Sequence, residues 1–78
     1  MPVLRLFASA REAAGTGREE LPGDTVEQLL ANAVARYGEP FAAVLATCRV
    51  WVNGEEGDKA TALRAGDEVA VLPPVSGG

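Results

Sequence analysis

The sequence has no histidine and a single cysteine, Cys48, among 78 residues. No disulfide can close within such a chain. A zinc site built on Cys and His ligands cannot be assembled by one copy, and no nucleophile can be paired with an imidazole base. Aromatic residues are few: two phenylalanines, one tyrosine and one tryptophan. No apolar run approaches the roughly 18 residues of a membrane span, and no signal-peptide pattern opens the chain. Basic residues are outnumbered, seven Lys and Arg against eleven Asp and Glu, for a net charge of −4. Without clustered cations, neither nucleic acid nor an anionic membrane is expected as a partner. These absences lead to a soluble, cytoplasmic protein with no metal, no bound cofactor and no catalytic side chains of its own.

What is present is a regular pattern of short elements. Val3 to Ala8 alternates as a strand, with Leu4, Leu6 and Ala8 on one face and Val3, Arg5 and Phe7 on the other, wetter face. Ala10 to Ala14 forms a helical turn or two closed by Gly15, and Arg18 to Leu21 a short second strand. Thr25 and Gln28 have the spacing of a capping box. Val26, Leu29, Leu30, Ala33, Val34 and Tyr37 then repeat at helical period, making one amphipathic helix that ends near Gly38. Pro40 to Ala46 is expected to add a helical turn. Cys48 to Asn53 alternates again, and Asn53-Gly54 is a hairpin signal. A brief edge strand is expected near Asp58 to Ala62. The last strand runs from Glu68 to Leu72, Val69 and Val71 inward, and Pro73-Pro74 stops it because proline cannot donate to a ladder.

One amphipathic helix must bury its stripe on one face of a mixed sheet. The expected fold class is therefore α+β: a β-grasp (ubiquitin-like) domain over residues 1–74, its first and last strands parallel and central, followed by a tail at 75–78. Cys48 reads as a core filler. Phe7, Trp51 and Leu72 are expected on the outer sheet face. Phe7 and Leu72 should lie side by side at the ends of parallel strands, where clustered exposed apolar groups suggest a docking surface. Arg11 either rims that patch or caps the short helix.

The tail, Val75-Ser76-Gly77-Gly78, ends on two glycines. Glycine has no Cβ and passes through channels too narrow for other residues. Four extended residues reach about 13 Å, enough to carry an α-carboxylate inside a neighbouring protein. That carboxylate, ionised at neutral pH, is a poor electrophile until it is activated. Pro73 and Pro74, with φ already fixed, limit the entropy lost on threading.

Phe7-Ala8-Ser9-Ala10-Arg11-Glu12-Ala13-Ala14-Gly15, Gly66-Asp67-Glu68-Val69 and Pro73-Pro74-Val75-Ser76-Gly77-Gly78 resemble the small subunit of molybdopterin synthase, the MoaD branch of the MoaD/ThiS sulfur carriers. Threonine is more usual where Ser76 stands, and the paired prolines favour the molybdopterin over the thiamine branch. The resemblance implies that an adenylating, E1-like enzyme uses ATP to activate the Gly78 carboxylate and that sulfur then displaces AMP. The large subunit of molybdopterin synthase would accept the resulting thiocarboxylate and pass its sulfur to a precursor pterin. Phe7, Arg11, Leu72, Pro73 and Pro74 would form the partner interface, and Gly78, Gly77, Ser76 and Val75 the working tail. Sulfur delivery to the thiazole of thiamine or another acceptor, and attachment of Gly78 to lysines of target proteins, stay open beside it.

Overall fold

The computed structural model describes residues 1–74; the tail expected at 75–78 lies outside them. Its elements are β1 (Val3–Leu6), α1 (Ala8–Ala14), β2 (Arg18–Glu20), α2 (Val26–Tyr37), α3 (Glu39–Leu45), β3 (Arg49–Val52), β4 (Glu55–Glu56) and β5 (Glu68–Leu72). The sheet order is β2-β1-β5-β3-β4, with β1 and β5 parallel at the centre and the other pairs antiparallel. This is the β-grasp arrangement expected from the element order.

The core lies between the inner sheet face and the helices. Leu4, Leu6, Val69 and Val71 from the two central strands meet Ala10 of α1, Val26, Leu29 and Ala33 of α2, and Phe41 of α3. Leu21 and Leu63 close its ends. Leu30, Val34 and Tyr37, the rest of the α2 stripe, are half-buried along its border.

The α2 N-terminus has a partner for each of its first N–H groups. Val26 and Glu27 donate to the carbonyls of Thr61 and Lys59, both at 3.0 Å. Gln28 donates to Thr25 Oγ1 at 3.2 Å. The Gln28 side chain does not reach back to Thr25, as a capping box would; its Oε1 accepts from Asp24 N at 2.7 Å. Just upstream, Gly23 touches the helix backbone: a Cβ there would stand 2.8 Å from Leu29 Cα.

Three expectations need correction. Ala8 does not extend β1. The carbonyl of Phe7 accepts from Ala10 and Arg11, so it serves the first turn of α1 rather than the sheet. The turn after Pro40 is a full two-turn helix, and its Phe41 is completely buried, edge-on to Tyr37 with ring centroids 5.1 Å apart. No strand forms over 58–62, where Ala62 alone makes an isolated bridge, to Thr25. That segment's carbonyls cap α2 instead, and the sheet edge is supplied by β4, paired through Trp51↔Glu56 and Val52↔Glu55. The Asn53-Gly54 hairpin turn stands as expected, both residues at positive φ (50° and 84°).

Candidate functional site

Strand alternation and register define the outer sheet face. Val3 and Arg5 of β1 lie opposite Glu68 and Ala70 of β5, and opposite Glu20 and Arg18 of β2. On the other side Arg49 and Trp51 of β3 lie opposite Leu72 and Ala70, and Trp51 opposite Glu56. The middle of the face is thus apolar, Ala70 flanked by Trp51 and Leu72. Phe7 follows Leu6, the partner of Val71, and is therefore level with Leu72 where β5 ends. It is 39% exposed; Leu72 and Pro73 are half-buried, and Pro74 is exposed. Register thus sets Phe7 and Leu72 level at this end of the sheet, and Pro73 and Pro74 follow Leu72 directly in the chain. Arg11 is set apart from them. Its side chain lies along Gly17, 3.3 Å from where a Cβ would be, and the Gly17 carbonyl holds Leu6 N. It flanks β1 from the β2 side, whereas Leu72 is on the β5 side.

Charged residues surround the apolar middle; the sequence placed Arg5 on this face but not its partners. Arg5 Nη1 is 3.6 Å from Glu68 Oε1, and Arg49 Nη1 is 2.9 Å from Glu56 Oε2. The Arg5 guanidinium carbon is 5.8 Å from the centre of the Phe7 ring. By register the face holds three arginines (Arg5, Arg18, Arg49) and three glutamates (Glu20, Glu56, Glu68), so its formal charge is zero. The chain's net −4 therefore resides entirely off this face. The alternation pattern carried that signal, once each strand's neighbours are known.

The level at which β5 ends is set at its start. Asp67 Oδ2 accepts from Arg64 N at 2.8 Å, closing the turn that Gly66 makes at φ 85°. Asp67 Oδ1 accepts from Asn53 Nδ2 at 3.2 Å, and Asn53 Oδ1 accepts from Glu68 N at 2.9 Å. The backbone N–H of Arg64, and then the Asn53 amide, hold the Asp67 carboxyl below its ordinary range. Val3 N donates to Asp67 O at 2.7 Å and begins the parallel β1–β5 pairing. The Gly66-Asp67-Glu68 motif thus fixes the register that carries Leu72 to the end of the sheet.

Other reactive groups lie elsewhere. Cys48 Sγ donates to Val44 O at 3.2 Å, and burial pushes its thiol up, away from the nucleophilic thiolate. Glu19 accepts from the Tyr37 hydroxyl and pairs with Arg36 at 2.6 Å, tying β2 to the end of α2.

Residues 4–78 match the model of the ThiS family. The chain belongs to the ThiS family. Within it, a molybdopterin synthase sulfur carrier subunit from Chlamydomonas reinhardtii is 40% identical, with 92% of each chain covered. One from Aspergillus niger is 36% identical over 96% of this chain and 91% of its own. Among solved structures, the small archaeal modifier protein 1 of Methanosarcina acetivorans superposes with a TM-score of 0.88 at 29% identity, covering 99% of this chain and 95% of its own. The ThiS-family fold and the β-grasp architecture derived above are the same.

Proposed function

We propose that this ThiS-family chain is the sulfur carrier subunit of a molybdopterin synthase, acting in the cytoplasm. The observation that carries the reading is the near-full-length similarity to molybdopterin synthase sulfur carrier subunits from an alga and a fungus. Its chemistry follows from the terminal residues. The Gly78 α-carboxylate attacks the α-phosphorus of ATP on an E1-like enzyme, giving an acyl adenylate and releasing pyrophosphate. Hydrosulfide from the sulfur source adds to the acyl carbon and AMP leaves, giving a thiocarboxylate. In that form Gly78 is the reacting residue and not a catalyst. Gly77 leaves clearance around it, and Ser76 and Val75 provide reach.

The large synthase subunit is the proposed receiver of the tail, docked on the outer face at Phe7, Leu72, Pro73 and Pro74; Arg11, on the β2 side of β1, lies outside that patch. A neutral face with an apolar middle and paired charges at its border suits a protein partner. This chain would bind no cofactor and supply no general acid or base.

Incubation with the activating enzyme, ATP and a sulfur source tests the proposal by intact mass. The expected product has gained the mass difference between sulfur and oxygen, and deletion of Gly78 abolishes it. An unchanged mass with a competent activating enzyme rejects the carrier reading. A second reading, attachment to target proteins, is favoured by the likeness to small archaeal modifier protein 1. It predicts higher-mass conjugates that survive reducing, denaturing gels.

A further inference from the structure

Arg5 occupies a position where three features of the outer face meet. The β1–β2 register sets it opposite Arg18, a like charge that disfavours a guanidinium leaning toward β2. The β1–β5 register sets it opposite Ala70, whose methyl leaves room above β5. Two residues back along β5, opposite Val3, is Glu68, and the Arg5 guanidinium is drawn to it, Nη1 to Oε1 at 3.6 Å. From this anchored position its central carbon lies 5.8 Å from the centre of the Phe7 ring, within cation–π range. Phe7 needs such a neighbour. It is 39% exposed and stands at the break between strand and helix, where Ala8 turns the backbone at φ 49°. A ring free to choose among rotamers would lose that freedom on docking, at a cost to affinity.

We infer that Arg5 is a positioning residue: its guanidinium, anchored by Glu68, holds the Phe7 ring in place on the outer face before a partner arrives. This rests on the outer-face docking proposed above, and adds that the ring is pre-ordered from within the same sheet. Glu68 is then the second member of the device, since its carboxylate keeps Arg5 on the β5 side.

The test is a double-mutant cycle on affinity for the large subunit, with Arg5→Gln, Phe7→Ala and the pair. Arg5→Gln should weaken binding about three-fold when Phe7 is present, the size of an exposed cation–π contact, and leave it unchanged when Phe7 is alanine. Glu68→Gln should weaken binding in the same direction, by no more than Arg5→Gln. In the free chain, NMR should show the Arg5 δ-methylene protons shifted upfield by the Phe7 ring and returned to ordinary values in Phe7→Ala. A merely structural Arg5 would lower the melting temperature and weaken binding equally in both backgrounds, which overturns the inference. So does the absence of the upfield shift. If Phe7→Ala leaves affinity unchanged, the outer face itself is not the docking surface, and the inference falls with it.

Discussion

The zero charge of the outer face makes a prediction that separates docking there from docking anywhere else on the molecule. Three arginines and three glutamates share that face, four of them in ion pairs at 3.6 and 2.9 Å. The net −4 belongs to the rest of the chain: the helices, the loops, Glu19 of β2 and Glu55 of β4. The shortest extent of the domain is 18 Å. At about 0.1 M ionic strength the screening length is roughly 10 Å, so a partner approaching the sheet feels little of the acidic side behind it. Association through the outer face should therefore gain little from long-range steering. Raising salt from about 0.05 to 0.5 M should change the association rate for the large subunit by less than about three-fold. Stopped-flow fluorescence of Trp51, on that face, gives the rate directly. The Glu20→Gln/Glu56→Gln variant leaves the face at +2 and should acquire a salt dependence that the parent lacks. If the parent's rate instead falls ten-fold or more across this range, a basic partner is being steered to the acidic surface off this face. The outer-face assignment would then be wrong.

Two further predictions concern stability. Phe41→Ala removes a fully buried ring packed edge-on against Tyr37 and should cost about 3–5 kcal/mol. In a domain this small that lowers the melting temperature by on the order of 15 °C or more; urea unfolding followed by circular dichroism measures it, and a loss under about 1 kcal/mol would mean α3 is not part of the core. The second concerns pH. Glu19, hydrogen-bonded by Tyr37 and paired with Arg36, and Asp67, held by the Arg64 N–H and Asn53, have lowered pKa values. Their contribution is present above the ordinary values of 4.5 and 3.8 and is lost as pH falls through the lowered ones. Burial, and then the bond to Glu19, push the Tyr37 phenol from 10.0 to about 12, so its contribution is full below pH 10.0 and lost as pH rises through about 12. Burial also pushes the Cys48 thiol up from 9.0, so urea midpoints should be flat only from pH 4.5 to 9.0, and the acid arm should be shallower in Glu19→Gln/Asp67→Asn. An acid arm identical to the parent's refutes the role of both carboxylates.

The helix α2 was legible because its signals are local and redundant: Thr25 caps it, six apolar residues repeat at its period, and Gly38 ends it. The hairpin at Asn53-Gly54 was legible because few other residue pairs accept two successive positive φ angles. Helix α3 was harder to read. Seven residues with Pro40 near the start span too few turns to establish a period, and what holds the helix is Phe41 reaching the core. Residues 58–62 carried no sign of their role, since their carbonyls are recruited by N–H groups more than thirty positions earlier. The apolar half of the candidate site, Phe7 and Leu72, followed from alternation along each strand. The charged half did not, because which Arg faces which Glu depends on strands distant in sequence.

By itself, then, the sequence determined the types of β1, β2, α2, β3 and β5 and the inward faces of the central strands. Each of those depends on residues a few positions apart, within reach of one hydrogen bond or one side-chain period. Only the tertiary structure decided that Arg5 sits between Glu68 and Phe7, that Arg11 flanks the opposite side of β1, and that the outer face carries no net charge. Those outcomes depend on register between strands up to some sixty positions apart. Register is set by the Asp67–Asn53 clamp and by the burial of Leu4, Leu6, Val69 and Val71, and these act only when the whole sheet is assembled.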